Sequence, residues 1–257
     1  MAEFTLDIYD LSGAFSEEGL SWKDSFHIGC RDVEGTNCYC GDEAREEILR
    51  RMPQRDESLR VSWIDTGDYH HLSRLTIGMT AESEGPLSVV LFDHHPDMQE
   101  PAFGSILSCG GWLRNLLEDC PQIGKAYVVG IDPALRSECE GFGDRVTVID
   151  ERQILDGQKN GRPCSVQLME VFEGGKVFVS VDKDVLNPRW ARTDWDHGTM
   201  DLDDILESLV CLSGKARIVG VDICGGITSA KGGSGEDFSL NRRTDEALLN
   251  LLKTLEI

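Results

Sequence analysis

Two spacings of apolar residues alternate along the chain. Short runs rich in valine, isoleucine and leucine recur, and seven close on an aspartate: FTLDIYD at Asp10, VSWID at Asp65, SVVLFD at Asp93, AYVVGID at Asp132, RVTVID at Asp150, VFVSVD at Asp182 and ARIVGVD at Asp222. Their apolar residues follow one another without polar alternation, the pattern of strands buried on both faces, as in a parallel sheet. Between them the spacing turns helical. Residues 42–52 (DEAREEILRRM) stop at Pro53, where a helix should end. Residues 111–119 carry Trp112, Leu113, Leu116 and Leu117 on one face. Residues 201–212 open with Asp201, Asp203 and Asp204, favourable at the positive end of a helix dipole. Residues 244–256 open on Thr244 as the expected N-cap and carry Leu248, Leu251, Leu252 and Leu255 as a stripe. This alternation predicts one doubly wound α/β domain over residues 1–257 with a mainly parallel sheet. Binding sites in such sheets lie beyond the carboxyl ends of the strands, where the terminal aspartates would collect.

Charge narrows the choice of partner. Twenty-five Lys+Arg against 46 Asp+Glu leave −21 at pH 7 over 257 residues. That field repels nucleic-acid phosphates and anionic membranes and attracts cations, so the expected partner is a small molecule. No apolar stretch approaches the roughly 18–20 residues of a membrane span. The acidic MAEFTLDIYD lacks the basic and apolar regions of a signal peptide, which predicts a cytoplasmic protein. Nine cysteines, an odd number without a CxxC pair, are expected as reduced and mostly buried thiols. The five glycines of GGITSAKGGSG, residues 225–235, predict a mobile loop over the sheet edge and a candidate lid. The segment Gly35-Thr36-Asn37-Cys38-Tyr39-Cys40 carries no chemistry legible from its spacing.

Two strand ends carry chemistry. Asp93-His94-His95-Pro96-Asp97 follows SVVLF, and Asp182-Lys183-Asp184 closes VFVSV. If the strands persist, side chains two apart share a face, so Asp93, His95 and Asp97 converge, as do Asp182 and Asp184. A lone aspartate at a strand end is ordinarily a cap, and a lone histidine a hydrogen-bonded core residue. Carboxylates and imidazoles together at same-face spacing instead suit Mn²⁺, Fe²⁺ or Zn²⁺, and four aspartates match the charge of two divalent ions.

DHHPD resembles the D-x-H-x-D motif of the arginase/agmatinase (ureohydrolase) superfamily, and SVDKD resembles its S-x-D-x-D motif. TGDYHHLSRL, residues 66–75, is similar to the glycine-rich segment that carries the first ligand histidine, and the likeness spans about residues 60–225. With FGSILSCGGW and ARTDWDHG, the chain looks like a bacterial arginase-like branch of that superfamily. The resemblance implies a three-layer α/β/α sandwich with a parallel sheet of about eight strands. It also implies two Mn²⁺ per chain, with Zn²⁺ or Fe²⁺ as alternatives, and a homo-oligomer as a plausible assembly. His70 would then bind the first ion with Asp97, His71 being the competing candidate. His95 and Asp184 would bind the second, and Asp93 and Asp182 would bridge. Hydroxide held between the ions would attack the carbon of a non-peptide carbon–nitrogen bond.

The likeness breaks where relatives bind guanidinium. Arginases and agmatinases carry glutamate three residues after the aspartate of a late D-x-x-E strand, and here Asp222-Ile223-Cys224-Gly225 puts glycine there. The stretch 103–111 lacks the shuttle histidine that arginases carry, and the loop 187–200, NPRWARTDWDHGTM, keeps only Gly198-Thr199 of the family's loop. The leading expectation is therefore a manganese-dependent hydrolase of a guanidine, amidine or amide, with a neutral group as one option at the recognition end. The alternatives are a deacetylase of a small amide and a metal-binding protein without turnover. Candidates around the metal are Asp184 or His197 as the acid for the leaving amine, and Cys109 or Cys224 as a nucleophile if not merely a buried thiol. Arg189 and Arg192 could hold a substrate carboxylate, Trp190 and Trp195 could wall the pocket, and Asp196 completes the expected substrate-binding set.

Overall fold

A computed structural model describes residues 4–20, 22–23, 25–53, 59–102, 104 and 106–255. Its strands are β1 (Leu6–Asp10), β2 (Ser25–Gly29), β3 (Tyr39–Cys40), β4 (Arg60–Ile64), β5 (Leu87–Phe92), β6 (Leu107–Ser108), β7 (Ile123–Val129), β8 (Val146–Ile149), β9 (Gly175–Asp182) and β10 (Ala216–Cys224). The helices are α1 (Ala14–Glu18), α2 (Asp42–Arg51), α3 (Leu72–Glu84), α4 (Trp112–Asp119), α5 (Glu151–Lys159), α6 (Cys164–Val171), α7 (Leu202–Lys215) and α8 (Gly235–Thr254).

All seven aspartate-terminated runs are strands of one eight-stranded sheet, ordered β2-β1-β4-β10-β9-β5-β7-β8 and parallel throughout. Continuous apolar runs are what this arrangement demands, because each central strand buries both faces. Along β5, Val90 and Phe92 enter one core cluster, while Val89 and Leu91 enter the other on the opposite face. The chain builds β4, skips two places to β5, extends outward through β7 and β8, then returns to fill the gap with β9 and β10. The last two strands therefore bring their ends to the middle of the sheet. Phe92 of β5 pairs with Val181 of β9, so the next residues, Asp93 and Asp182, emerge side by side.

The helices predicted at 42–52, 111–119 and 201–212 correspond to α2, α4 and α7. The fourth differs. α8 begins at Gly235, with Ser234 as its N-cap in a reciprocal capping box with Asp237. Thr244 is interior, its hydroxyl donating to the carbonyl of Trp190. The final predicted residue, Glu256, lies outside the described residues.

The glycine-rich segment 225–235 also departs from expectation. It leaves a central strand, not the sheet edge, and it is fastened down. Gly226 N–H donates to Asp65 O (2.9 Å), Ile227 N–H to Glu18 Oε1 (3.0 Å) and Ser229 N–H to Glu17 Oε2 (2.6 Å). Lys231 bridges Asp68 and Asp194 at 3.0 and 2.9 Å. Backbone amides that find fixed acceptors this way belong to a built connection, not to a free flap.

Candidate metal centre

The D-x-H-x-D residues converge, but by a turn, not by strand alternation. β5 ends at Phe92, and Asp97 adopts φ +52°, a left-handed conformation uncommon outside glycine. His95 N–H donates to Asp93 Oδ1 (2.7 Å), which closes the turn and aims both side chains the same way. The second motif folds likewise. β9 stops at Asp182, Asp184 sits in a single 3₁₀ turn, and its N–H donates to Asp182 Oδ1 (3.0 Å). His70 lies in the turn between β4 and α3.

Two groups of ligand-type atoms result, and they share Asp93. In the first, His70 Nδ1 stands 3.0 Å from Asp97 Oδ2 and 3.2 Å from Asp93 Oδ2. Asp182 Oδ2 approaches the same ring nitrogen at 3.5 Å. In the second, His95 Nδ1 is 2.9 Å from Asp184 Oδ2 and 3.6 Å from Asp93 Oδ1. Asp93 thus turns one oxygen to each group.

The far nitrogen of His70, Nε2, is 3.0 Å from Ser180 Oγ. A proton on Nε2 toward Ser180 leaves the Nδ1 lone pair free for a cation. His71 is buried, and neither of its ring nitrogens has a partner among the described residues. It packs on Tyr69, and burial lowers its pKa to about 3.

Electrostatics fit a cation. The aspartates and His70 are buried, and the His95 side chain is 22% exposed. Burial, aided by Asp93, pushes Asp97 up to about 7 and Asp184 up to about 6. Burial and then Asp184 and Asp93 drive Asp182 well above its ordinary value. For Asp93 burial acts upward as well, but hydrogen bonds from His70 and His95 outweigh it and hold its carboxyl low. Burial opposes charge on His95, yet Asp184 and Asp93 raise it to about 12. Four carboxylates crowded into low dielectric against two imidazoles are short of positive charge, which divalent ions would supply.

A cleft of about 270 Å³ opens above these groups. Beyond the aspartates and histidines its walls are Cys38, Tyr39, Gly67, Gln99, Ser108, Cys109, Gly110 and Trp195. The predicted Trp195 is there, its ring edge-on to His95 at 5.5 Å and its indole N–H on Asp68 Oδ1 at 3.3 Å. Gly67 makes this possible, because a Cβ there would stand 2.8 Å from the indole. Cys109 is there too, as a thiol that burial, with Asp97 next, pushes far up.

The other candidates lie elsewhere. His197 is spent inside its own loop, Nδ1 on Leu186 O (2.9 Å) and Nε2 accepting from Thr193 N–H (3.1 Å), and it does not line the cleft. Arg192 donates to Pro188 O and faces Asp237, Arg189 pairs with Asp201, and Trp190 donates to Asp201, all away from the cleft. Asp196 is exposed and does not line the cleft. Cys224 is buried beside Thr66 O, and burial raises its thiol strongly.

Sequence reasoning missed Cys38, Tyr39, Gln99 and Ser108. β3 and β6 pair as a short antiparallel ribbon that hangs the 35–40 segment over the cleft. Two-residue strands leave no periodic signal, so only the fold brings them in. In the stretch 103–111, Phe103 and Ser105 lie outside the described residues.

A family model described as the arginase family matches residues 66–225, well over half the chain and spanning both motifs. The chain belongs to the arginase family. An arginase from Glycine max is 26% identical over 81% of the chain, which spans 60% of that relative's length. Among solved structures, proclavaminate amidino hydrolase from Streptomyces clavuligerus superposes with TM-score 0.68 at 18% identity, covering 98% of this chain and 92% of that one. Formimidoylglutamase from Bacillus subtilis gives 0.66 at 17% identity (98% and 88%), and arginase from Bacillus cereus 0.67 at 13% (99% and 100%). At such identities the structural likeness establishes the arginase-family fold. No described helix is long and apolar enough to cross a membrane.

Proposed function

We propose that this arginase-family protein is a metal-dependent hydrolase of a non-peptide carbon–nitrogen bond in a small molecule whose recognised end is uncharged. The observation that carries the reading is the pair of ligand groups joined through Asp93. His70 and Asp97 would hold one divalent cation and His95 and Asp184 the other, with Asp93 and Asp182 reaching both; Mn²⁺ suits this oxygen-rich set, with Zn²⁺ or Fe²⁺ as alternatives. When bound, such a pair supplies an activated water at neutral pH.

The chain's own residues do the rest. Ser180 Oγ holds the His70 ring at Nε2, and Trp195 shields His95 from one side. Asp184, whose Oδ2 stands 2.9 Å from His95 Nδ1, is placed to take up a proton and pass it toward a leaving nitrogen. Cys109 serves as wall, its thiol kept protonated at neutral pH by burial.

Recognition follows from what the walls lack. Apart from the candidate ligands, every cleft residue is neutral. Gly225 has φ +92°, and a Cβ there would stand 2.5 Å from Asp182 Oδ1, so a guanidinium-binding glutamate does not fit. Gln99 and Ser108 offer neutral donors and acceptors instead, which also suits a small amide.

An ammonia- and urea-release panel of uncharged amides and ureides beside guanidines, run on Mn²⁺-loaded protein, tests this reading. The expected result is turnover of an uncharged compound, cut at least about 100-fold in Asp184→Ala. Preferential turnover of guanidines would overturn the recognition argument. Bound metal with no turnover would favour a non-catalytic metal protein.

A further inference from the structure

The cleft is lined by two cysteines that meet at the end of the β3–β6 ribbon. β3 and β6 pair antiparallel with Tyr39 opposite Ser108 and Cys40 opposite Leu107, so the next register pair is Cys38 opposite Cys109. Cys109 N–H donates to Cys38 O at 2.9 Å, which continues the ladder to that pair. Opposed residues in such a ladder have Cα atoms about 4.5–5.5 Å apart, inside the roughly 4.4–6.8 Å that a disulfide spans. Both cysteines are free, both line the cleft, and their thiols are hydrogen-bonding neighbours of each other. Cys38 is held at φ +58°, and residues other than glycine in that region concentrate at functional positions.

We propose that Cys38 and Cys109 are a redox-modifiable dithiol at the rim of the metal cleft, closed to an intramolecular disulfide by hydroperoxides. Cys38 is the half-buried member and meets the oxidant first. Its sulfur attacks the peroxide oxygen, giving a sulfenic acid and releasing water or an alcohol. The Cys109 thiol then attacks the sulfenic sulfur, its proton passing to the departing hydroxide, which leaves as water. Two sulfurs each lose one hydrogen, the peroxide takes up two electrons, and a thiol reductant reverses the change.

The link would join two segments tied to the candidate ligands. Cys38 N–H donates to Asp68 O, two residues before His70, and Gly110 O accepts from Gln99 N–H, two residues after Asp97. Other pairings are less placed to form. Cys30 and Cys40 are also neighbours but lie in the core, and Cys211 is exposed on α7.

The test treats the full-length, Mn²⁺-loaded protein with stoichiometric hydrogen peroxide, alkylates the remaining thiols and maps cross-linked peptides by mass spectrometry. The expected result is a 38–109 link, loss of two of the nine alkylatable thiols, and restoration by dithiothreitol. The oxidised protein should also melt higher, a shift absent from Cys109→Ser. A 30–40 link, intermolecular coupling through Cys211 alone, or irreversible oxidation of Cys38 without a link would overturn the proposal. The wild-type map decides even if the variant fails to fold.

Discussion

Seven aspartates end apolar runs, yet only Asp93 and Asp182 face the candidate metal centre, and the difference lies in their partners. Asp65 accepts from Leu11 and Ser12 N–H, Asp150 caps α5, Asp132 caps its own turn, Asp10 pairs with Arg31, and Asp222 accepts from Thr76 inside the fold. Each is held by donors away from the others, whereas Asp93 and Asp182, besides the amides of their own turns, crowd other carboxylates. The two-residue spacing predicts convergence, and the residues do converge, but through local turns and not pleat alternation. His197 was misplaced by spacing alone, because only the folded loop shows both ring nitrogens occupied. Substituting His197→Ala should lower stability by about 1–2 kcal/mol through those lost bonds and leave Mn²⁺ binding intact, as measured by denaturant melts and metal titration. A proton shuttle would show the reverse, an unchanged melt with lost turnover. Gly225→Glu should cost about 1–3 kcal/mol from backbone strain alone and weaken metal binding by displacing Asp182. A stable variant with full metal content would contradict that geometry.

At the scale of elements, strands buried on both faces were legible because burial forces continuous apolar runs. The edge strand β2 is not legible, for Phe26 and His27 are exposed, only Ile28 is buried, and its sequence SFHIG reads as a loop. α8 was placed late because its first turns are polar and its leucine stripe begins at Leu248. Helix and motif meet at Lys183, which is fully buried between the two aspartates of the second motif. Its Nζ stands 2.9 Å from Asp245 Oδ2 of α8 and 3.8 Å from Glu18 of α1, and Trp63 Nε1 also donates to Asp245. The ion cluster pins the turn that carries Asp182 and Asp184 to two helices. Removing one partner leaves a buried charge uncompensated, so Asp245→Ala should destabilise by about 3–5 kcal/mol in urea melts. A loss under about 1 kcal/mol would show that the cluster contributes little.

For the whole molecule, the strand order places the centre where the last two strands fill the gap in the sheet, at the crevice beyond the carboxyl ends. The net charge of −21 favours a cation but does not say where one would sit. Protons and metal would compete for the site between the strand ends. Without metal, Asp97 at about 7, Asp184 at about 6 and His95 at about 12 all lie above their ordinary values of 3.8 and 6.5. Groups raised in this way give the metal-free fold stability that is complete below those ordinary values and lost as pH rises through the raised ones, while Asp93, held low, acts in the opposite sense. The rise in Tm on adding saturating Mn²⁺ should therefore grow from pH 6 to pH 8, and a rise that shrinks over that window would contradict the proton–metal exchange. The most direct test is metal content by elemental mass spectrometry, on protein purified without chelator and reloaded with Mn²⁺, beside the double variant Asp93→Ala, Asp182→Ala. The account predicts about two Mn²⁺ per wild-type chain and near none in the variant; a wild type that binds no Mn²⁺, Zn²⁺ or Fe²⁺ specifically would contradict it.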